Sequence, residues 1–181
     1  RLLDSKHAKD FTEITAKFDP PELTADTLVI DGLFGSGLIK PLAGGFASLV
    51  KYINQSPAKI VSIDVPSGLM TEDNTYNVRA NIIHATLTLT LHERKLSFLF
   101  ADAQQFIGRL KVLDIRLNQE FIQKTEAQYY LLEENDIRSR LLHRDDFSHK
   151  GDMGNALIIA GSYGMSGAAI LATRACLRSG V

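Results

Sequence analysis

The sequence lacks an excess of charge of either sign. Its 181 residues include 20 Lys and Arg against 21 Asp and Glu, for a formal net charge of −1. A protein that holds nucleic acid or lies on an anionic membrane needs a positive surface to neutralise phosphates, and this balance supplies none. We therefore expect no nucleic-acid partner and no membrane partner.

Cysteine and long apolar runs are scarce as well. The one cysteine, Cys176, has no partner for an internal disulfide and lies between Ala175 and Leu177, which favours a packing role in a reducing compartment. No apolar run approaches the roughly 18 residues that cross a bilayer. These features predict a cytoplasmic protein. The five histidines show no zinc-ligand spacing.

Apolar residues are plentiful enough for a core. At 45% hydrophobic and 23% charged residues, the composition is typical of a globular protein rather than a disordered one. The chain begins at Arg1 without a methionine and ends at Val181, where a helical pattern stops. We therefore expect it to be a fragment of a longer protein.

The first half of the chain has the pattern of a strand, a helix and a second strand. Residues 27–30 and 59–63 are apolar, β-branched runs, typical of parallel strands buried on both faces. Between them, the apolar residues of 46–53 recur at i, i+3, i+4 and i+7, which predicts an amphipathic helix. This βαβ unit indicates an α/β fold. A further short helix is predicted at residues 5–18.

More strands are predicted downstream. Strict alternation over residues 85–91 is typical of a strand with one buried and one wetter face, and 96–100 and 110–115 are two further candidates. The pattern then becomes polar, and we expect a domain junction near Gln128.

Beyond the junction, one more strand and one more helix are predicted. Residues 156–160 have the pattern of a strand, and residues 168–178 form an alanine-rich helical pattern. Ser166 is placed to cap the start of this helix, and Gly180 to end it.

Two aspartates come directly after the first two predicted strands. Asp31 and Asp64 each end a strand, and open α/β sheets bind ligands at the carboxyl ends of their strands. Beside them, the backbone amides of Gly35, Ser36 and Gly37 allow a phosphate to approach closely. The pattern favours a nucleotide site. The alternative is that both aspartates merely stabilise turns.

A second glycine-rich constellation lies near the end of the chain, at residues 149–154 and 161–168. It also resembles an anion-binding turn, but no Lys-Ser or Lys-Thr pair follows its glycines, so it is not a P-loop. In the first loop, Gly35, Gly37 and Gly44 do not form the GxGxxG spacing of dinucleotide-binding dehydrogenases, so hydride transfer has no direct support.

Three segments carry a family resemblance: DGLFGSGL at 31–38, VSIDVPSGL at 61–69 and SHKGDMGNALIIAGSYGMSGAAILATRACLRSG at 148–180. They resemble the bifunctional NAD(P)H-hydrate repair enzymes. The resemblance implies a Rossmann-like three-layer α/β/α epimerase domain, residues 1–128, that lacks its N-terminal part. The start of a ribokinase-like α/β dehydratase domain follows at residues 129–181.

The resemblance also implies roles for individual residues. Asp31 and Ser67 would help to coordinate a potassium ion, a hard cation that prefers oxygen ligands. Asp64 would bind the hydrated nucleotide and is our candidate acid–base residue, and Ala168 would contact the dehydratase substrate. The loop that holds the hydrated nucleotide would consist of Gly35, Ser36, Gly37, Leu38, Ile39, Lys40 and Pro41.

The implied reaction is metabolite repair. The family interconverts the R and S forms of NAD(P)H hydrate and, with ADP or ATP, removes water from the S form to regenerate NAD(P)H. The implied partner is thus a small-molecule nucleotide, and a homo-oligomer is left open.

The sequence departs from the family at both ends. It contains no Asn-Gly-Gly-Asp segment, which the family places upstream, and its dehydratase half stops after the first helix. We therefore expect the chain alone to be incomplete for dehydration. Two alternatives stay open: a non-catalytic nucleotide-sensing or protein-binding module with an epimerase-like fold, and a sugar or coenzyme kinase.

Overall fold

The computed structural model describes residues 19–141, 143–149 and 151–180. The strands are β1 (Leu28–Asp31), β2 (Lys59–Ile63), β3 (Leu87–Leu91) and β4 (Arg109–Leu113). The α-helices are α1 (Gly44–Gln55), α2 (Gln104–Ile107), α3 (Gln119–Lys124), α4 (Glu134–Arg138) and α5 (Gly167–Ser179). Short 3-10 helices occupy Arg79–Asn81, Leu96–Leu99 and Ala101–Ala103. The helix predicted at residues 5–18 lies outside the described residues.

The described residues divide into two compact units, with the boundary between Thr125 and Glu126. The first unit contains all four strands named above, and the second contains α4 and α5. The assignment of residues 1–128 to an epimerase domain and of 129–181 to the start of a dehydratase domain stays a prediction.

The four strands of the first unit form one sheet in the order β1-β2-β3-β4, and every neighbouring pair is parallel. The helix α1 connects β1 to β2, as the predicted βαβ unit requires. The predicted α/β, Rossmann-like fold is therefore confirmed for this unit. The ribokinase-like assignment of the second unit stays a prediction.

The two faces of β1 differ sharply. Val29 pairs with Ile60 and belongs to the same apolar cluster as the buried side of α1, whereas Leu28 and Ile30 are 59% and 58% exposed. The prediction that this strand is buried on both faces is therefore wrong. An apolar run supplies side chains to both faces of a strand, but burial of each face also requires a packing partner there.

The predicted alternation in β3 is present, and its buried side is the threonine side. Thr88 and Thr90 are fully buried, while the leucines of the strand are half-buried. Burial of a hydroxyl requires a hydrogen bond, and Thr88 Oγ1 donates one to the Ile107 carbonyl at 2.8 Å.

Two apolar clusters form the core of the first unit. One joins α1 to β2 and to the residues before β3, and consists of Leu42, Val50, Ile53, Ile60, Ile83 and Ala85. The other lies around the loop after β2, and consists of Val65, Leu69, Ile82, Phe98, Ala103, Phe106 and Ile107. The second cluster fixes the segment that carries Ser67, because Val65 and Leu69 flank it on both sides.

The strand predicted at residues 96–100 is absent, and a 3-10 helix occupies Leu96–Leu99 instead. Its amides bond locally or to a loop: the Phe98 amide donates to the Lys95 carbonyl, and the Ser97 amide donates to the Thr71 carbonyl. The apolar residues of this segment indicated burial correctly, since Phe98 lies in the core, but not the conformation.

The strand predicted at residues 156–160 is also wrong. These residues join no ladder among the described strands, and Leu157 and Ile159 are 86% and 89% exposed. A strand is defined by its hydrogen-bonded neighbour, which an apolar run alone does not supply.

The second unit ends in the predicted helix, with slightly wider bounds, at Gly167–Ser179. Gly180 ends it in the left-handed conformation, at φ 97°. Ser166 occupies the N-cap position, but its side chain accepts no hydrogen bond from the helix. No helix in the described ranges is long and apolar enough to cross a membrane.

Gly108, between α2 and β4, gives a test of this packing. It adopts φ 56°, and a Cβ there would lie 2.2 Å from the Ala85 carbonyl oxygen. We expect Gly108→Ala to lower the free energy of unfolding by more than about 2 kcal/mol, through strain and overlap. Urea unfolding followed by circular dichroism measures this change.

The matched control is Gly45→Ala, in the first turn of α1, where a Cβ meets nothing within 4 Å. This substitution should raise stability slightly, by up to about 1 kcal/mol, because alanine favours the helix. Equal urea midpoints for the two variants would contradict the packing described around Gly108.

Candidate functional site

The candidate site lies at the carboxyl edge of the parallel sheet. Asp31 is the last residue of β1, and Asp64 directly follows β2, with which β1 pairs in parallel. Both aspartates therefore come to the same edge, as predicted. The two carboxylates have separate sets of contacts there.

Asp31 is buried, with 3% of its surface exposed, and its carboxylate accepts three hydrogen bonds from two serines. Oδ2 accepts from Ser62 Oγ at 2.7 Å and from the Ser67 amide at 2.8 Å. Oδ1 accepts from Ser67 Oγ at 2.5 Å. These contacts join the ends of β1 and β2 to the loop that follows β2.

Ser67 is held from both sides in a buried loop. Its Oγ accepts a hydrogen bond from the Phe34 amide at 3.0 Å, so it also ties down the loop after β1. The next residue, Gly68, has φ 98°, and a Cβ there would lie 2.2 Å from the Asn81 carbonyl oxygen. Glycine is required at this close backbone approach. Asp31 and Ser67, predicted to act together, are in direct contact.

Asp64 lies where three segments meet. Its Oδ1 is 2.9 Å from Lys95 Nζ, 3.1 Å from the Leu91 amide nitrogen and 3.4 Å from Thr90 Oγ1. Its backbone has φ 66°, a left-handed conformation that non-glycine residues seldom adopt. The side chain is largely buried, with 14% of it exposed.

The pKa of Asp64 lies below its ordinary value. Burial raises the pKa, but the Lys95 ammonium and the Leu91 and Ser36 amides stabilise the charged form and lower it by more. Asp64 is therefore an ionised carboxylate at neutral pH. A carboxylate in this state can accept a proton.

The glycine loop between β1 and α1 contacts Asp64 at its beginning. A Cβ on Gly35 would lie 3.5 Å from Asp64 Oδ2, and the Leu38 amide donates to the Gly35 carbonyl at 3.4 Å in a turn. Ser36 and Gly37 are exposed, and Leu38 is half-buried in the α1 cluster. The remaining predicted residues, Ile39, Lys40 and Pro41, are exposed.

The second predicted loop lies in the second unit. There Ser162 and Met165 form a tight antiparallel bridge, and Gly161 has φ 86°. Ala168 is in the first turn of α5 and is exposed. Before this loop, the His149 amide donates to Asp152 Oδ2 at 2.9 Å.

Sequence reasoning missed Lys95, Ser62 and Thr90. Ser62 and Thr90 lie inside strands, where a polar side chain carries no pattern of its own. Lys95 follows the end of β3 by four residues, and β3 ends at the same edge as β1 and β2. The charged run that follows the strand predicted at residues 85–91 was the available signal. In the described residues no group of three His, Cys, Asp or Glu side chains is arranged to hold a metal ion.

The Asp31 contacts predict a specific stability loss. In Asp31→Asn, an amide NH₂ replaces one acceptor oxygen and faces a hydroxyl or amide donor, so a buried polar group loses its partner. We expect the free energy of unfolding to fall by about 1–3 kcal/mol. The control is Asp102→Asn, in an exposed ion pair with Arg79, which should change stability by less than about 1 kcal/mol. Urea midpoints that do not separate the two variants would contradict the buried network.

Comparison with known proteins agrees with this architecture. The family model for the YjeF-related protein N-terminus matches residues 2–97, which include the carboxyl ends of β1 and β2 and both aspartates. No other segment of the chain is covered by that match.

Curated relatives extend the likeness over most of the chain. The bifunctional NAD(P)H-hydrate repair enzyme Nnr of Vibrio cholerae is 36% identical over 160 residues, or 88% of this chain and 32% of the relative. The enzymes of the same name from Moorella thermoacetica and Escherichia coli are 35% and 33% identical, over 84% of this chain and 28% and 29% of their own lengths. This chain thus spans about a third of the length of these relatives. The predicted resemblance is confirmed, and the chain belongs to the YjeF-related protein N-terminus family.

Proposed function

We propose that the first unit is the epimerase part of an NAD(P)H-hydrate repair enzyme, which interconverts the R and S forms of the hydrated nucleotide. The observation that carries this proposal is the ionised, largely buried Asp64 carboxylate against Gly35 at the sheet edge. The relatives named as repair enzymes support the choice of substrate.

In this proposal the glycine loop holds the nucleotide. Gly35 lets the ligand come close to Asp64, and the exposed residue Gly37 offers a backbone amide to phosphate oxygens, whereas the Ser36 amide stabilises the Asp64 carboxylate. The side chains of Ile39, Lys40 and Pro41 are exposed along the same loop and would complete the contacts to the nucleotide.

Asp64 acts as the acid–base residue in this proposal. Inversion at a hydroxylated carbon needs a group that moves a proton, and a carboxylate within hydrogen-bond reach of the substrate can do so. The surrounding donors keep Asp64 ionised before the reaction, so its first step is to accept a proton.

Potassium is the cation that the family resemblance implies beside Asp31, and the residues present fit it. Asp31 is buried, yet no ion pair among the described residues includes it. Asp31 and Ser67 offer the oxygen atoms that a hard cation prefers. A bound potassium ion would supply positive charge next to the nucleotide.

We propose further that the second unit is the beginning of the dehydratase part, which would use ADP or ATP to dehydrate the S form. The relatives' alignments, at 84–90% of this chain, support this extension beyond the family match. Ala168 would then contact the dehydratase substrate from the first turn of α5.

Asp64→Asn tests the epimerase proposal. It preserves the shape of the side chain but removes its charge and basicity, so turnover should fall by about 10²-fold or more while substrate binding is retained better. The assay is chromatographic separation of the R and S forms of NADPH hydrate, with the product of the complete reading frame that encodes this chain.

The control is Asp73→Asn, an exposed carboxylate that bonds Thr75 outside the site, and it should leave the rate unchanged. If Asp64→Asn retained a rate within about twofold of the unaltered protein, Asp64 would be a substrate contact and not the base. If the unaltered protein did not interconvert the two forms, the non-catalytic nucleotide-binding alternative would replace the epimerase proposal.

Ser67→Ala tests the potassium site. Loss of one oxygen ligand should raise the potassium concentration needed for half-maximal epimerisation several-fold, with little change in the rate at saturation. Ser48→Ala, at an exposed serine that bonds the Gly44 carbonyl in α1, is the matched control. An unchanged potassium dependence in Ser67→Ala would remove this residue from the cation site.

A further inference from the structure

The two oxygens of the Asp64 carboxylate have different surroundings. Oδ1 receives the Lys95 ammonium, the Leu91 amide and the Thr90 hydroxyl, at 2.9, 3.1 and 3.4 Å. Oδ2 is the oxygen that lies near Gly35, at 3.5 Å from the position of a Cβ there. Three donors, two from side chains and one from the backbone, thus converge on Oδ1, whereas Oδ2 lies on the side of the glycine loop. The Ser36 amide of that loop also stabilises the carboxylate.

Lys95 is itself fixed in place. Its Nζ donates to the Leu91 carbonyl at 3.1 Å, and 16% of the side chain is exposed. The residue caps the 3-10 helix Leu96–Leu99, whose Phe98 is part of the buried core and whose Ser97 amide bonds the Thr71 carbonyl. A lysine anchored at both its backbone and its ammonium loses little further freedom when it holds a partner.

We propose that Lys95 is a positioning residue for Asp64: it fixes Oδ1, so that Oδ2 faces the glycine loop and is the oxygen that exchanges a proton with the substrate. This inference rests on the proposed epimerase function, and it deepens it by assigning the reactive oxygen and the group that orients it. Lys95 itself does not touch the substrate.

The electrostatic consequence follows from the opposing effects on Asp64. Burial alone raises the pKa of its carboxyl, and Lys95 is the first of the groups that outweigh this effect. Without the Lys95 ammonium, the increase in pKa caused by burial is less strongly opposed. The Asp64 carboxyl then binds its proton at a higher pH. The Asp64 contribution to stability is present above the ordinary carboxyl pKa and is lost as the pH falls through the lowered value.

The other charged groups near this loop form no ion pair with Asp64 within the described ranges. His92 lies 3.6 Å from Glu93 and 3.8 Å from Asp114, and the Asp31 carboxylate accepts hydrogen bonds from Ser62 and Ser67. Arg94 and Lys40 are exposed. Among the ion pairs of the described ranges, the one that includes Asp64 joins it to Lys95.

The first experiment needs no substrate. In protein labelled with ¹³C at the aspartate carboxyl carbons, the Asp64 signal, assigned by its loss in Asp64→Asn, is titrated by NMR. We expect a pKa below the ordinary range, a clear rise in Lys95→Gln and a return toward the starting value in Lys95→Arg, which restores the charge. Lys95→Gln retains a donor for the Leu91 carbonyl, so the fold is disturbed less than by an apolar replacement.

The second experiment measures epimerisation of NADPH hydrate by the same variants, in the product of the complete reading frame. In Lys95→Gln we expect kcat to fall at least tenfold with little change in KM, and the acid limb of the pH–rate profile to move to higher pH. Lys95→Arg should recover most of kcat. Arg79→Gln, which breaks an exposed ion pair with Asp102 in the same unit, should leave kcat, KM and the acid limb of the pH–rate profile unchanged.

The two experiments separate the possible failures. An Asp64 pKa that is unchanged in Lys95→Gln, or a kcat equal to that of the unaltered protein, would overturn the role of Lys95. A kcat that falls equally in Lys95→Gln and Lys95→Arg, with the Asp64 pKa unchanged in both, would reduce Lys95 to a structural residue and also overturn it. Absence of epimerisation in the unaltered protein would instead refute the proposed function, while the NMR titration would still decide whether Lys95 controls Asp64.

Discussion

The buried carboxylate of Asp31 is the interaction on which the sheet edge depends. A carboxylate taken from water is costly unless donors surround it, and here those donors come from β2 and from the loop that follows β2. The requirement fixes Ser67, and Ser67 in turn fixes the Phe34 amide at the start of the glycine loop. One desolvated group thereby determines where two loops leave the sheet.

The positions of Asp31 and Asp64 at this edge could be predicted from the sequence, because each of them comes at the end of a recognisable strand pattern. An apolar β-branched run that stops at an aspartate marks the end of a parallel strand, and Asp31 and Asp64 both follow such runs. Parallel pairing then requires that they share an edge. The helix α1 was predictable for a similar reason, since its apolar spacing has the helical period.

The rest depends on contacts between distant residues, which no local pattern encodes. Lys95 reaches Asp64 because the chain turns into a 3-10 helix after β3, where its apolar residues suggested a strand. At residues 156–160 the apolar run is present, but no described strand pairs with it. Conformation in both segments is decided by the available hydrogen-bond partners rather than by side-chain type.

The exposed face of β1 and β2 affects how the first unit unfolds. Leu28, Ile30 and Ile63 already meet water in the folded state, at 59%, 58% and 36% exposure. The heat-capacity change and the urea m-value of unfolding both scale with the surface newly exposed. Side chains that are already exposed to water in the folded state add little to the heat-capacity change or to the m-value. The unit should therefore unfold with a flatter stability curve and a broader urea transition than a sheet of this size covered on both faces.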